Sequence, residues 1–582
     1  MEKSKITKSL AVFASVLLII IIGVASFAYF GTFNVNLNNN VAVNINSSSP
    51  GNATFTSNAT QLNLQVPAAN MSFTVANNTV AAKEDTAFLD VTLTGSQNLL
   101  TTCTYDIVYE YDAGSNVYGQ GTTTKTGDAT KEITIEVNGM NGNNHFATER
   151  NFDHANIQSY YDSTNKYYKL VEGATIKSLG STQSVRWKII GRYYNLDVSQ
   201  AQLGGKNFTG KIYAISKGCS SEDGTTVKKG YETILANNGG AASMTILTST
   251  DFANVTTASD KGMYKAQDDL GTSYYFRGAV DNNWVKYGKY TKDTYYTYDD
   301  DYYYSLVSSC DGLDNCFKIA SKGDDMYWRI IRVNGDNSIR MIYTGTSAPD
   351  NNTKVIMTES TNNSGYIRAT SAGMSKFNKN YDSAEYVGYM YTIGEQHGTS
   401  KSSDIKTYLE DWYANYTDLN KTGTKIADQI FCNDRSASST QTAAWTSTGA
   451  DYYYGARDRL HTNKKPILTC PTASDKFTVN TSNGNGALTY PVGLITADEV
   501  AMAGGVYDSY PSSYYLYTNQ GYWSGSPDIF NSYFTVAYEF DASSTLYSSS
   551  MDLARGARPV VSLSSESKLL GSGTYNDVYT VN

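Results

Sequence analysis

Apolar and polar residues alternate along much of the first third of the chain. In NVNLNNNVAVNIN, residues 34–46, the apolar side chains fall on one face and asparagine fills most of the other. This period of two is typical of a β-strand with one buried face. The alternation recurs at residues 61–66, 103–111, 131–137, 184–194 and 206–215. We therefore predict about eight strands and an all-β, immunoglobulin-like sandwich over residues 32–219.

Helical spacing of apolar residues is clear in two later stretches. In SDIKTYLEDWYANY, residues 403–416, apolar positions recur every three or four residues and Ser403 is suited to cap the helix. In TADEVAMAGG, Thr496 and Glu499 have the spacing of a capping box, and Gly504 is suited to end the helix. Two short helices are therefore expected in the C-terminal half.

Strands accompany these helices. The stretch YWRIIRVNG at 327–335 leads through a Gly-Asp-Asn turn into SIRMIYTG at 338–345, which predicts a hairpin. The mixture indicates an α+β domain over 263–582. Small and polar residues dominate 220–262, so this segment is predicted to be a connector with one short helix.

An uncharged apolar run at residues 10–30 follows three lysines at the N-terminus. It is long enough to cross about 30 Å of hydrocarbon as a helix, and the lysines favour export of everything that follows. Residues 1–31 are therefore predicted to be an export signal or a membrane anchor, and cleavage stays open. The protein is expected on the outer face of the cell membrane or secreted.

The composition narrows the range of partners. The net charge is −9 and no cluster of lysine and arginine occurs, so nucleic acid is not an expected partner. Charged residues make up 17 %, below the usual quarter, whereas tyrosine is abundant, with 49 residues. This composition favours β-structure with aromatic, polar surfaces.

Six cysteines, an even number, are expected to form disulfides in an exported protein. Proximity within the predicted domains favours the pairs Cys103 with Cys219, Cys310 with Cys316, and Cys432 with Cys470. Free buried cysteines remain the alternative.

A series of short motifs in the C-terminal half carries a resemblance. The motifs are YYFRGAVDNNWVKY, YWRIIRVNGDNSIRMIY, AEYVGYMY, FCNDR, LTYPVGLITADEVAMAGG, GYWSGSP and GARPVVSL. Together they resemble the C-terminal domain of exported multidomain surface proteins of Gram-positive and wall-less gut bacteria. That domain is similar to the C-type-lectin-like fold, in the branch shared with formylglycine-generating (sulfatase-modifying) enzymes. The resemblance covers residues 263–582 and implies that fold for them.

The resemblance implies a structural role for the two last motifs. Trp523 is expected to be a buried anchor, and Ser524 and Pro527 belong to the turn that follows it. Arg558, before Pro559, is expected to hold a carboxylate or backbone carbonyl groups inside the domain.

Catalysis is not predicted. The sequence contains no G-x-S-x-G, H-E-x-x-H, C-x-x-C or glycine-rich phosphate motif, and no cofactor or metal is expected. The acidic residues Asp299, Asp300 and Asp301 in YTYDDDYYYS lack the spacing of a calcium loop, which favours a solvated insertion. The enzymatic alternative is a formylglycine-generating-like oxidase, in which reduced Cys432 and Cys470 hold copper.

A ligand-binding surface is predicted near the C-terminus, where tyrosine, serine and asparagine are concentrated. The candidate residues are Tyr514, Phe530, Asn531, Tyr533 and Tyr547. The expected function is non-catalytic binding or adhesion to an extracellular glycan or protein, with the retroelement-diversified receptors as a special case. The remaining alternative is a structural subunit of a fibre or matrix.

Overall fold

The computed structural model describes residues 41–45, 53–65, 83–95, 99–111, 132–139, 150–153, 157–194, 207–224, 227–254, 256–257, 259–357, 370–446, 450–511, 513–540 and 545–582. The apolar segment at 10–30, predicted as a signal or an anchor, lies outside these residues. Within the described ranges, no helix has both the length and the apolar character needed to cross a membrane.

The chain divides into two compact units, and the second begins at Lys228. The segment 220–262, predicted to be a connector with one short helix, contains a short helix, and this division assigns its residues partly to each unit. The last strand of the first unit runs on to Asp223, and the helix at Gly230–Asn237 buries Ile234 in the core of the second unit. Burial of an apolar helix face makes this segment part of the second unit.

The described residues of the first unit form two antiparallel sheets and one short 3-10 helix at Ile157–Tyr160. One sheet has the strand order β1-β2-β4-β10-β6-β7, and the other has β3-β11-β5-β9-β8. The bounds are β1 Val41–Ile45, β2 Ala53–Ser57, β3 Thr60–Gln65, β4 Lys83–Thr94, β5 Leu99–Tyr111, β6 Ile133–Gly139, β7 Arg150–Asp153, β8 Tyr161–Asp162, β9 Tyr167–Leu179, β10 Thr182–Tyr193 and β11 Asn207–Asp223.

Alternating side chains from both sheets form the core of this unit. Trp187 of β10 is buried, and its Nε1 donates a 3.0 Å hydrogen bond to the hydroxyl of Tyr105 on β5. Cys103 on β5 lies directly opposite Cys219 on β11, and the two form a disulfide. The predicted two-sheet β-architecture is confirmed, because the period-two pattern put one face of each strand inside.

The second unit combines sheets with short helices. Its helices are α1 Gly230–Asn237, α2 Ser249–Ala253, α3 Asp404–Asp411, α4 Gly455–Arg457 and α5 Ala497–Ala503. Its strands are β12 Lys261–Asp268, β13 Gly271–Gly278, β14 Trp284–Lys289, β15 Thr294–Tyr298, β16 Tyr304–Val307, β17 Cys316–Ala320, β18 Asp325–Val333, β19 Ile339–Tyr343, β20 Met374–Lys376, β21 Met390–Tyr391, β22 Lys401–Ser402, β23 Ile426–Ala427, β24 Phe431–Cys432, β25 Tyr452–Tyr453, β26 Lys476–Phe477, β27 Tyr522–Phe530, β28 Thr535–Phe540, β29 Leu546–Ser550, β30 Ala554–Gly556, β31 Val560–Leu563, β32 Leu569–Leu570 and β33 Tyr579–Val581.

Three larger sheets organise the described part of the second unit, and β21 with β22 and β24 with β26 form two further two-stranded sheets. The largest has the order β23-β31-β19-β18-β14-β33-β32, with the β12-β13 hairpin joined to β18. A second sheet has the order β20-β30-β27-β28-β29, with β25 paired to β27, and a small third sheet has the order β16-β15-β17. The predicted hairpin of β18 and β19 is confirmed, since Val333 pairs with Ile339 across the turn.

Both predicted helices begin where the sequence indicated, although the one predicted over 403–416 is α-helical only to Asp411 and continues as a π-helical turn at Trp412–Tyr416. The Ser403 hydroxyl accepts a hydrogen bond from the backbone N–H of Lys406 at the start of α3. At α5, Thr496 and Glu499 form the capping box, and Gly504 ends the helix with φ of 129°. A positive φ of this kind suits glycine, which has no Cβ.

The GYWSGSP and GARPVVSL motifs lie inside the second unit. Trp523, Ser524, Pro527, Arg558 and Pro559 are all buried. The Ser524 hydroxyl donates to the carbonyl oxygen of Tyr538, which ties β27 to β28. The backbone N–H of Tyr343 donates to the carbonyl oxygen of Pro559.

The Arg558 guanidinium is held by uncharged groups. It donates to the carbonyl oxygens of Tyr343 and Leu516 and to the hydroxyl of Thr344, and it lies over the ring of Tyr522. The sequence predicted either a carboxylate or backbone carbonyl groups as partners of Arg558, and backbone carbonyl groups are observed. Burial lowers the pKa of this arginine.

Candidate functional site

Two of the residues predicted for a ligand-binding surface are part of the core. Tyr514 is buried, with its ring packed edge-on against Phe540 at 5.5 Å. Phe530 is buried at the end of β27, where it pairs with Tyr452 of β25. The prediction of surface positions for Tyr514 and Phe530 is therefore wrong. Their aromatic rings serve packing in the core rather than recognition.

The other three residues lie at or near the surface. Tyr533 is 77 % exposed and Tyr547 is 49 % exposed. Asn531 is half-buried, and its Oδ1 accepts hydrogen bonds from the backbone N–H groups of Tyr533 and Phe534. Asn531 thus shapes the turn between β27 and β28.

A surface cleft of about 400 Å³ lies elsewhere in the second unit. It opens between the tip of the β15-β16 hairpin and a wall formed by β20, the residues after it and the start of α3. Its lining is rich in tyrosine, aspartate and lysine: Asp299, Asp301, Tyr302, Tyr303, Tyr304, Ser375, Lys376, Lys379 and Asp404. The volume falls within the range typical of small-molecule sites.

The hairpin tip is held in one conformation by its own side chains. Asp299 Oδ1 accepts hydrogen bonds from the backbone N–H groups of Asp301, at 3.1 Å, and Tyr303, at 2.8 Å. Tyr302 has φ of 55°, the left-handed conformation that residues other than glycine rarely adopt. Strained backbone of this kind concentrates at ligand sites.

A stack of aromatic rings supports one face of the Tyr302 ring. Its ring lies nearly parallel to that of Tyr298, with centroids 5.6 Å apart and an interplanar angle of 12°. Tyr298 is stacked in turn near Phe317, and Phe317 lies against Tyr296. Because Tyr302 is still 58 % exposed, the stack holds its ring rigid without covering it.

The disulfide between Cys310 and Cys316 closes the loop that leads into β17. Cys316 immediately precedes Phe317, a member of the ring stack. The cross-link therefore restrains the strand that supports the hairpin.

The opposite wall contributes two lysines. The Lys379 Nζ lies 5.9 Å from the centroid of the Tyr303 ring, a cation–π distance. The Lys376 Nζ lies 3.4 Å from the carbonyl oxygen of Asp301. Among the described residues, neither ammonium group forms an ion pair with a carboxylate. Both charges therefore remain available at the cleft.

Asp404 is the most enclosed acid of the cleft. Its Oδ2 accepts a 2.5 Å hydrogen bond from the backbone N–H of Lys379, which fixes that part of the wall. Burial raises the pKa of Asp404, and the nearby Lys379 and Lys376 ammonium groups oppose this shift. The cleft thus combines aromatic faces, hydrogen-bond acceptors and ammonium donors.

Close packing fixes the positions of the two walls of the cleft. Gly373 has φ of 101°, and a Cβ there would lie 2.2 Å from the Tyr408 hydroxyl and 3.0 Å from Tyr296. Only glycine therefore allows the chain to approach both tyrosines this closely. The Tyr416 hydroxyl donates to the carbonyl oxygen of Leu306, which anchors β16 to the turn that extends α3.

A second cavity, of about 30 Å³, is lined mainly by ion pairs. Glu499 accepts from Arg332 at 3.0 Å and lies 2.7 Å from the Arg340 Nε, and Arg332 also pairs with Asp268. Arg459 bridges to Asp434 and Asp498 in the same region. A cavity of this size holds about two water molecules, and its charged groups already bind one another.

Cys432 lines this cavity and forms a disulfide with Cys470. The three predicted disulfide pairs are thus all present, and the alternative of free cysteines is wrong for them. Both sulfurs required by the oxidase alternative are bonded to each other. Within the described part of the chain, no cluster of three or more histidine, cysteine, aspartate or glutamate side chains is placed to hold a metal ion.

Comparison with protein-family models and with curated proteins found no match for this sequence. The sequence nevertheless contained a signal for the cleft. The run YTYDDDYYYS places three tyrosines directly after three aspartates. The prediction of a solvated insertion considers only the aspartates and leaves out the adjacent tyrosines, which line the cleft. The second wall comes from residues 375–404, more than seventy positions later, and no local pattern joins them to the hairpin.

Proposed function

We propose that this protein is a non-catalytic, extracellular binding protein whose second unit binds carbohydrate in the cleft beside Tyr302. The β-sandwich acts as a spacer, and residues 10–30 serve as the export signal or the anchor. The three disulfides are typical of proteins in an oxidising compartment. The likeness of residues 263–582 to C-type-lectin-like domains supports the same assignment.

The observation that carries this proposal is the exposed, rigidly stacked ring of Tyr302 within a polar cleft. A sugar ring has an apolar face of C–H groups that packs against an aromatic face, and hydroxyl groups around its edge. Asp301 and Asp404 offer acceptors for those hydroxyls, and Lys376 and Lys379 offer donors. A preformed aromatic face also limits the ordering entropy lost on binding.

Two of the other functions are less well supported. The oxidase requires two thiols at Cys432 and Cys470, which are bonded as a disulfide. The fibre subunit stays a prediction from the β-rich sequence, since it depends on contacts between copies.

A glycan array probed with the purified full-length protein tests the proposal. We expect binding to a restricted set of saccharides and a loss of roughly tenfold or more in affinity for Tyr302→Ala. The matched control is Tyr510→Ala, because Tyr510 is similarly exposed, at 68 %, and lies outside the cleft. Binding to no saccharide, or binding that is unchanged in Tyr302→Ala, would overturn the proposal.

A further inference from the structure

We infer that the binding surface continues from the cleft to the β27-β28 turn, so that the ligand is a chain of several sugar units rather than one sugar. This inference rests on the proposed carbohydrate function. It concerns three exposed aromatic residues outside the cleft: Tyr381, Tyr533 and Phe534.

These three residues are neighbours in space. The backbone N–H of Thr535 donates a 2.7 Å hydrogen bond to the carbonyl oxygen of Tyr381, and the Thr535 hydroxyl donates to the same oxygen at 3.1 Å. Thr535 directly follows Phe534 in the chain and is two residues from Tyr533. The exposed rings of the turn and of Tyr381 are therefore carried by adjoining backbone.

This backbone is continuous with the wall of the cleft. Lys379, which reaches the ring of Tyr303 in the cleft, is only two residues before Tyr381. Two residues span at most about 7 Å. The backbone therefore leads from the wall of the cleft past Tyr381 to the turn that carries Tyr533.

The backbone that carries these exposed rings is held by hydrogen bonds. The backbone N–H groups of Phe377 and Asn378 both donate to the carbonyl oxygen of Met551. At the far end, Asn531 holds the turn, and Ser532, with φ of 76°, donates its hydroxyl to the carbonyl oxygen of Ala450. The exposed rings are thus presented on fixed backbone.

The backbone hydrogen bonds distinguish between two kinds of elongated ligand. An extended peptide binds a strand edge through free backbone groups. Here the N–H groups of Phe377 and Asn378 bond to Met551, that of Lys379 bonds to Asp404, and that of Asn380 bonds to the side chain of Asn378. These N–H groups already have hydrogen-bond partners, so they are not available to a peptide strand. The surface therefore offers its exposed aromatic rings, and an oligosaccharide binds by stacking on such rings.

One ring stacks on one sugar unit, so a monosaccharide in the cleft gains nothing from Tyr381 or Tyr533. A longer chain contacts them in addition, and each further stacked unit is expected to raise affinity roughly two- to tenfold. Affinity that increases with chain length is therefore the signature of the extended surface.

The test is calorimetric titration of the full-length protein with two series of oligomers, of N-acetylglucosamine and of glucose, from one to six units. For the series that binds, we expect affinity to rise with length in the parent protein. Tyr381→Ala and Tyr533→Ala should lose most of that rise while keeping the affinity for the shortest oligomer. Tyr302→Ala should weaken every length, and Tyr510→Ala should change none.

The possible failures are distinguishable. Equal affinity for all lengths, or a length dependence unchanged in Tyr381→Ala and Tyr533→Ala, overturns the extended surface but leaves the cleft. Binding that is independent of Tyr302, or no binding to either series, counts against the carbohydrate function and the extension together. Circular dichroism and thermal melting of each variant identify any loss caused by misfolding, and in that case Tyr381→Ser and Tyr533→Ser replace the alanine variants.

Discussion

The indole Nε1 of Trp523 donates a 3.0 Å hydrogen bond to the carbonyl oxygen of Ser375. Ser375 lies in β20 and lines the cleft, next to Lys376. Trp523 also packs edge-on against Phe377, with ring centroids 5.8 Å apart. The buried tryptophan of the GYWSGSP motif therefore positions one wall of the candidate binding site.

Replacement of Trp523 tests this relationship. Trp523→Ala leaves a large cavity and an unpaired buried carbonyl group, so we expect the free energy of unfolding to fall by about 3–5 kcal/mol. Trp523→Phe keeps most of the ring but removes the donor, and should cost less stability while still weakening ligand binding. Urea denaturation measures the first effect. Parent-like stability in Trp523→Ala would contradict the assignment.

The Glu499 carboxylate offers a second test, because it is buried between Arg332 and Arg340. Arg332 retains Asp268 when Glu499 is neutralised, whereas Arg340 loses its carboxylate partner. Breaking a buried ion pair in this way costs about 3–5 kcal/mol. Glu499→Gln should therefore lower the free energy of unfolding by that amount.

Glu566→Gln is the matched control for Glu499→Gln. Glu566 pairs with Lys229 at 2.6 Å, but its side chain is exposed. Exposed ion pairs contribute about 0–1 kcal/mol. If the two variants unfold at the same urea concentration, the network around Glu499 is not the stabilising element that its burial indicates.

Local patterns predicted much of the fold. Alternation at 184–194 predicted a strand that the structure has at Thr182–Tyr193, and the spacing of Thr496, Glu499 and Gly504 located a whole helix. Both signals act within a few residues, where backbone geometry and capping decide the outcome.

The site was harder to predict for a physical reason. Tyr514 and Phe530 belong to a tyrosine-rich stretch, yet tertiary packing against Phe540 and Tyr452 buries them. Composition reports how many aromatic residues a segment has, but not which of them face water. The cleft also depends on contacts between residues far apart in the chain, and periodicity carries no information about those.

A third prediction concerns pH and His461. The Nε2 of His461 lies 2.7 Å from the Tyr538 hydroxyl. Burial lowers the pKa of His461 from 6.5 to about 4. The Asp528 charge opposes this shift, and the Arg457 and Lys464 charges assist it. Between these two values the unfolded chain binds a proton that the folded protein does not. Stability from this residue is therefore full above pH 6.5 and is lost as the pH falls toward 4.

Replacement by glutamine removes this titration. One pKa unit corresponds to about 1.4 kcal/mol, so the parent should lose roughly 1–3 kcal/mol between pH 7 and pH 4.5 through His461. His461→Gln should show a shallower fall over the same interval, measured by urea denaturation at each pH. Identical slopes for parent and variant would mean that the pKa of His461 is the same in the folded and the unfolded protein.

The last prediction concerns the disulfide between Cys310 and Cys316, which are both half-buried. It closes a short loop, so its removal should cost about 2 kcal/mol at most. The larger consequence is expected at the cleft, because Cys316 precedes Phe317 in the stack that holds Tyr302.

The double variant Cys310→Ser, Cys316→Ser frees the β17 end of that stack without altering any residue of the cleft. A looser Tyr302 must be ordered again on binding, and this costs about 0.5–1.5 kcal/mol for one side chain, or roughly two- to tenfold in affinity. Saccharide titration of the double variant measures this loss. The N-terminal disulfide between Cys103 and Cys219 supplies the control, since its serine variant should unfold more easily yet bind as the parent does. Parent-like affinity in the first variant would show that the stack is rigid without its cross-link.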